Sequence, residues 1–157
     1  MNIQELIEKT DNAIAEMGVK PEEARGQEPG QWLLMRDEIP IYLDAWTEDQ
    51  STPWNYFIFG ADPTVFQVTI PFCYGPTLKK AEFLEELLTV NINLLYGKFS
   101  YNAEENVVVL VYRVPGSALD PSQIGKVIEG LGYYAEMTYH VLKDEFHLKR
   151  VLVTENQ

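Results

Sequence analysis

Cysteine occurs once in 157 residues, as Cys73, and histidine twice, as His140 and His147. One thiol cannot close a disulfide within the chain, so cysteine usage gives no sign of an oxidising compartment. Cys73 stands between Phe72 and Tyr74 at the end of an apolar strand. That is the setting of a buried, inert thiol rather than of a nucleophile. The histidines lie seven residues apart and Glu136 precedes His140 by four, but there is no HExxH, and solvated surface residues are the better reading. GxSxG, a Walker loop, GxGxxG and CxxC are all missing. Asp44, Glu48 and Asp49 gather near a loop without the spacing of a calcium loop, so they read as a solvated acidic rim. No catalytic, cofactor-binding or metal-binding residue is therefore expected, and the chain is expected not to be an enzyme.

Positive charge is also scarce, with 12 Lys and Arg against 24 Asp and Glu, a net −12. Such a surface repels phosphate backbones and anionic lipid heads, which argues against nucleic acid and membrane partners. It favours solubility and basic partners. No apolar run approaches the ~18 residues of a spanning helix, and Met1–Glu5 lacks the basic start of a signal peptide. The expected location is the cytoplasm. The length fits one domain over residues 1–157, large enough to bury a core without metal or disulfide.

Helical spacing of Ile3, Leu6, Ile7, Ile14 and Met17 predicts a first helix over about 2–17, capped by Asn2 with Glu5 and stopped at Gly18. A polar link over 20–30 leads to strands at 31–36 and 39–47, turning at Asp37-Glu38. Pro40 cannot donate to a ladder, so its strand lies at an edge or begins there. Trp54–Phe59 and Val65–Phe72 read as a hairpin around Gly60-Ala61-Asp62-Pro63. Thr77 is expected to cap a helix whose stripe is Leu78, Ala81, Leu84, Leu87, Leu88, Asn91 and Leu95. A hairpin of Tyr96–Tyr101 and Asn106–Val114 follows. The last helix opens at Asp120-Pro121, with Gln123 placed for a capping box, and buries Ile124, Val127, Ile128, Leu131, Ala135, Thr138 and Leu142. Gly125 and Gly132 share a side of it, where the sheet backbone would come close. The segment 146–154 fits either more helix or a short strand.

Val107-Val108-Val109-Leu110-Val111-Tyr112 is apolar on both faces. A one-sided antiparallel sheet alternates instead, so something must cover the second face, either the N-terminal helix or a second copy. Val107, Val109 and Val111 are the candidate dimer or sheet-face contacts. The aromatic residues concentrate in the first four strands, and Trp and Tyr dominate binding hot spots when exposed. Trp54, Tyr56, Trp46 and Trp32 are the candidate protein-binding residues.

The order helix, strands and hairpins, helix, hairpin, helix joins Asn91, Leu94-Leu95-Tyr96-Gly97-Lys98-Phe99, the valine-rich strand and the Asp120-Pro121 helix. Together these resemble the YbjN-like family, similar in fold to the bacterial type III secretion chaperones, most clearly from Thr77 to Leu142. The resemblance implies a two-layer α+β domain, an antiparallel sheet packed with helices, often a homodimer and acting by binding polypeptide. A non-enzymatic protein-binding, chaperone-like or regulatory module is thus the first reading. A small-molecule or catalytic pocket between sheet and helices, lined by Tyr133, Tyr134, Tyr139 and His140, is the second. A structural subunit of a larger complex is the third.

Overall fold

The computed structural model describes residues 1–49 and 62–151. Helix α1 (Ile3–Glu16) begins with the expected capping box: Asn2 accepts from the Glu5 amide and Glu5 accepts from the Asn2 amide. It ends before Gly18, whose φ of 83° suits a residue without Cβ. The polar link contains a short helix, α2 (Pro21–Ala24). Strands β1 (Gln31–Arg36) and β2 (Ile39–Thr47) form a tight hairpin with Asp37 in the left-handed region. Pro40 sits at the start of β2, opposite Met35, rather than in an edge strand. The first strand of the expected Trp54–Phe59 hairpin lies outside the described residues; its partner is β3 (Thr64–Tyr74).

Helix α3 (Lys80–Asn91) starts three residues after the expected cap at Thr77, because Lys79 takes a left-handed φ of 58° and breaks the run. Its buried side chains are Phe83 and Leu87, whereas Leu78, Leu88 and Leu95 are exposed. Apolar residues occupy both faces of this helix, and contacts outside it decide which is buried: Phe83 packs against Phe146, ring centres 5.3 Å apart. Strands β4 (Lys98–Asn102) and β5 (Val107–Pro115) then complete an antiparallel sheet of order β1-β2-β3-β5-β4. A bulge between Pro71 and Cys73 inserts one residue in β3, so that both Phe72 and Cys73 are buried.

Helix α4 (Pro121–Phe146) is continuous; Asp120 caps it through the Ser122 amide. Past its left-handed end at His147 the chain does not extend the helix, and Lys149 accepts a bond from the Tyr74 amide. Gly132 faces a side chain rather than sheet backbone, since a Cβ there would lie 2.7 Å from the Arg36 guanidinium, which would have to shift. Arg36 is held there by Glu129 and Glu136 at 3.5 and 3.6 Å. Gly125 faces only Met17, at an ordinary 3.5 Å.

Asp62 ties the start of β3 to the turn before α4. Burial pushes its carboxyl up, but bonds from Thr64 and Ser117 outweigh that and hold it at about 2. The folded value lies below the unfolded ~3.9, so the stabilisation is complete above about pH 4 and fades as pH falls towards 2. Asp62→Asn is expected to cost ~1–2 kcal/mol at pH 7. The gap to the unmodified protein should narrow to a small fraction at pH 2, as read by denaturant unfolding at both pH values.

Candidate protein-binding face

Alternation gives the sheet two faces. Trp32 and Leu34 of β1, Ile41, Leu43 and Ala45 of β2, Phe66, Val68 and Ile70 of β3, and Val108 and Leu110 of β5 share one face and are buried. Helices α1 and α4 both lie on this face, bordering one groove together with Leu34 and Ile41. The N-terminal helix therefore does not cover the second face, contrary to one of the two expectations.

No helix among the described residues lies on that second face. Its cross-strand rows follow from the register. Leu33, Tyr42, Thr69, Val111 and Lys98 form one; Gln31, Asp44, Gln67 and Arg113 form the next; Pro71, Val109 and Ser100 form a third. Most of these side chains are half-buried. The surface is hollowed into two shallow concavities that meet at Thr69. One, of about 450 Å³, is lined by Leu33, Tyr42 and Asp44; the other, of about 730 Å³, by Val109, Val111 and Arg113.

Polar groups on the face are arranged in a chain. Arg113 donates to Gln67 Oε1 at 2.6 Å, Gln67 Nε2 donates to Thr69 at 2.9 Å, and the Arg113 guanidinium stands 5.5 Å from the Trp46 ring centre. Asp44 is outside this chain, and burial raises its carboxyl above the ordinary carboxylate range.

The sheet has two edges, and they differ. At β4 the Asn91 side chain accepts from the Phe99 amide at 2.7 Å and donates to the Phe99 carbonyl at 3.2 Å, filling the place of a neighbouring strand. Lys98 Nζ pins the same helix end through the Asn91 and Leu94 carbonyls. At β1 the loop before the strand bonds only its start, through Gly26 to the Gln31 carbonyl. Leu33 and Met35 follow with no further strand beyond them among the described residues.

A second exposed surface is helical. Helix α3 runs antiparallel to α4, because Phe83 meets Phe146 at one end and the Leu95 amide donates to the Tyr134 hydroxyl at the other. Leu88 on α3 and Ile92 and Leu95 in the turns after it are exposed, and Tyr133, Met137 and Val141 are exposed on α4. Ile92 is 81% exposed and Val141 72%.

The sequence candidates divide accordingly. Val107, Val109 and Val111 alternate with the buried Val108 and Leu110 and sit half-buried on the helix-free face. Trp46 lies on that face too. Trp32 does not: it is 2% exposed, and its indole donates to Asp11, so alternation places it in the core. Trp54 and Tyr56 lie outside the described residues. Asp44 is not part of an acidic rim with Glu48, which accepts instead from the Trp46 indole. Burial pushes the Cys73 thiol up to about 12, leaving it protonated at neutral pH. His140 and His147 are exposed. Of the residues expected to line a pocket between sheet and helices, Tyr133 and His140 are exposed and the Tyr139 hydroxyl donates to the Leu148 carbonyl. The face's remaining members, Leu33, Tyr42 and Thr69, were signalled only by their alternation with core residues.

No family model matches this sequence, and no curated protein does. Solved structures do match. A chain of the HopA1–SchA chaperone–effector complex aligns with a TM-score of 0.58 at 11% identity, over 87% of this chain and 95% of that one. A chain of the ExoU–SpcU heterodimer from the type III secretion system of Pseudomonas aeruginosa aligns at 0.57 and 11%, over 81% and 92%. The Yersinia pestis type III secretion chaperone SycH, in complex with a stable fragment of YscM2, gives 0.56 and 11%, over 84% and 98%. The fold is thus α+β, an antiparallel sheet packed with helices as in type III secretion chaperones. The YbjN-like part of the resemblance has no matching family model.

Proposed function

We propose that this protein is a non-enzymatic, chaperone-like module that holds a polypeptide partner against the helix-free face of its sheet. The observation that carries the reading is that face: half-buried apolar side chains, hollowed across several strands, with no layer over them among the described residues. Burying such a surface against a partner is favourable at roughly 25 cal/mol per Å² of apolar area. The edge at Leu33 and Met35 can also extend the sheet with a partner strand, whereas Asn91 closes the other edge. Likeness in fold to chains from chaperone–effector complexes supports the same reading. The exposed apolar residues at the end of α3 and along α4 suit a second copy of the chain, packed isologously, so the working unit is read as a homodimer in the cytoplasm. The test is capture from native extract with the tagged protein beside its Val111→Asp variant. A stoichiometric polypeptide retained by the first and lost by the second is expected. No polypeptide, or one retained equally by both, would contradict the reading.

A further inference from the structure

We propose that Asp44 seats a basic side chain, arginine or lysine, of an extended polypeptide lying across the helix-free face. This rests on the functional reading above and adds the chemistry of the partner.

Asp44 stands in the middle of β2, on the floor of the concavity it shares with Leu33, Tyr42 and Thr69. Its carboxylate is half-buried, yet among the described residues no cation pairs with it and no donor reaches it. Of the polar neighbours on its row, Gln31 on β1 is exposed and uncharged, and the two on the other side are committed elsewhere. Gln67, directly opposite, spends its oxygen on Arg113 and its amide on Thr69. Arg113 is a strand further away, held by Gln67 and by the Trp46 ring. A carboxylate taken partly out of water without a counter-charge is destabilising. A partner's guanidinium or ammonium entering the hollow would supply that counter-charge. Its methylenes would lie along Leu33 and Tyr42, as long basic side chains do on apolar surfaces. The net charge of −12 draws the same kind of partner.

The shape favours a polypeptide over a small amine. The hollow at Asp44 does not close around a ligand but continues through Thr69 into the second concavity along Val109 and Val111. Five strands at ~4.8 Å spacing make the face about 19 Å wide. An extended chain can place one basic side chain at Asp44 and apolar ones beyond it.

The experiment is selection of displayed random peptides on the full-length protein, followed by titration of the enriched peptides against the unmodified chain, Asp44→Asn and Val109→Asp. Enriched peptides are expected to share one arginine or lysine among apolar residues. Asp44→Asn should weaken them about tenfold to a hundredfold, and Val109→Asp should abolish binding. The thermal midpoint of Asp44→Asn should equal or exceed that of the unmodified protein, because an unpaired charge has been removed. Peptides that depend on Val109 but lack a basic residue, and bind Asp44→Asn equally, would overturn this inference and leave the binding face standing. A lowered midpoint for Asp44→Asn would mark the carboxylate as a structural group and overturn it too. If nothing is enriched, or if binding survives Val109→Asp unchanged, the face itself is refuted and the inference with it.

Discussion

Leu110→Asp is expected to unfold the protein, while its neighbour Val109→Asp is expected to stay folded and lose its partner. The two residues are adjacent in β5 and both aliphatic, but they point to opposite faces. Leu110 is 0% exposed in the core, between Ile70 and Phe99 on the neighbouring strands. A carboxylate there loses the transfer energy of a leucine and meets no cation, a cost of at least 4–5 kcal/mol. Domain stability as a whole is only about 5–15 kcal/mol. Val109 shares its row with Pro71 and Ser100 on the helix-free face, where a carboxylate can turn to water. Its expected cost to folding is about 1 kcal/mol. Circular dichroism and thermal unfolding of both variants check the contrast. A Val109→Asp protein as unfolded as Leu110→Asp would show that the second face is covered within the chain.

The second large effect concerns assembly. If the exposed apolar residues of α3 and α4 hold a second copy as proposed, Ile92→Asp is expected to leave a folded monomer of 18.0 kDa. Ile92 caps the end of α3, between the exposed Leu88 and Leu95 in sequence, so in the proposed dimer it is placed within the contact. Central apolar residues carry most of the energy of an interface, and a buried unpaired carboxylate there costs about 3–5 kcal/mol. In the free chain the same position is 81% exposed, so the monomer itself should be unaffected. Light scattering measures the mass, and an unchanged thermal midpoint at low concentration confirms the fold. A variant that remains dimeric would move the self-contact elsewhere, with Val107, Val109 and Val111 the next residues to examine.

Local chemistry made much of the fold legible in the sequence. Asn2 with Glu5, and Asp120 with Pro121, mark helix starts because capping depends on residues within one turn. The β1–β2 hairpin is equally local. The buried side of α3 was not legible, since Phe83, Leu84, Leu87 and Leu88 offer apolar side chains in several directions and Phe146, far along the chain, selects among them. Gly132 carries a cost that the sequence registers, but its neighbour, Arg36, comes from β1.

The candidate face was half legible. The alternation of Val107, Val109 and Val111 with Val108 and Leu110 was readable within one strand. So was that of Tyr42, Asp44 and Trp46 with Ile41, Leu43 and Ala45. Which strands stand side by side was not, because pairing β3 with β5 requires the register across the bulge at Pro71 and Cys73. Without that register Asp44 groups with Glu48 and Asp49 along the chain, rather than with Gln67 and Arg113 across the sheet. Trp32 was misassigned for a related reason: an aromatic residue in a strand gives no sign of which face is covered until the helices are placed.

The most direct measurement is photocrosslinking from the sheet face in living cells. A benzophenone amino acid is introduced at Val109 in one protein and at Glu8, on the exposed side of α1, in another. The account predicts a discrete adduct with a heterologous polypeptide from position 109, absent from position 8 and suppressed when Val111→Asp is added. No adduct from position 109, or the same adducts from both positions, would contradict a polypeptide-binding role for this face.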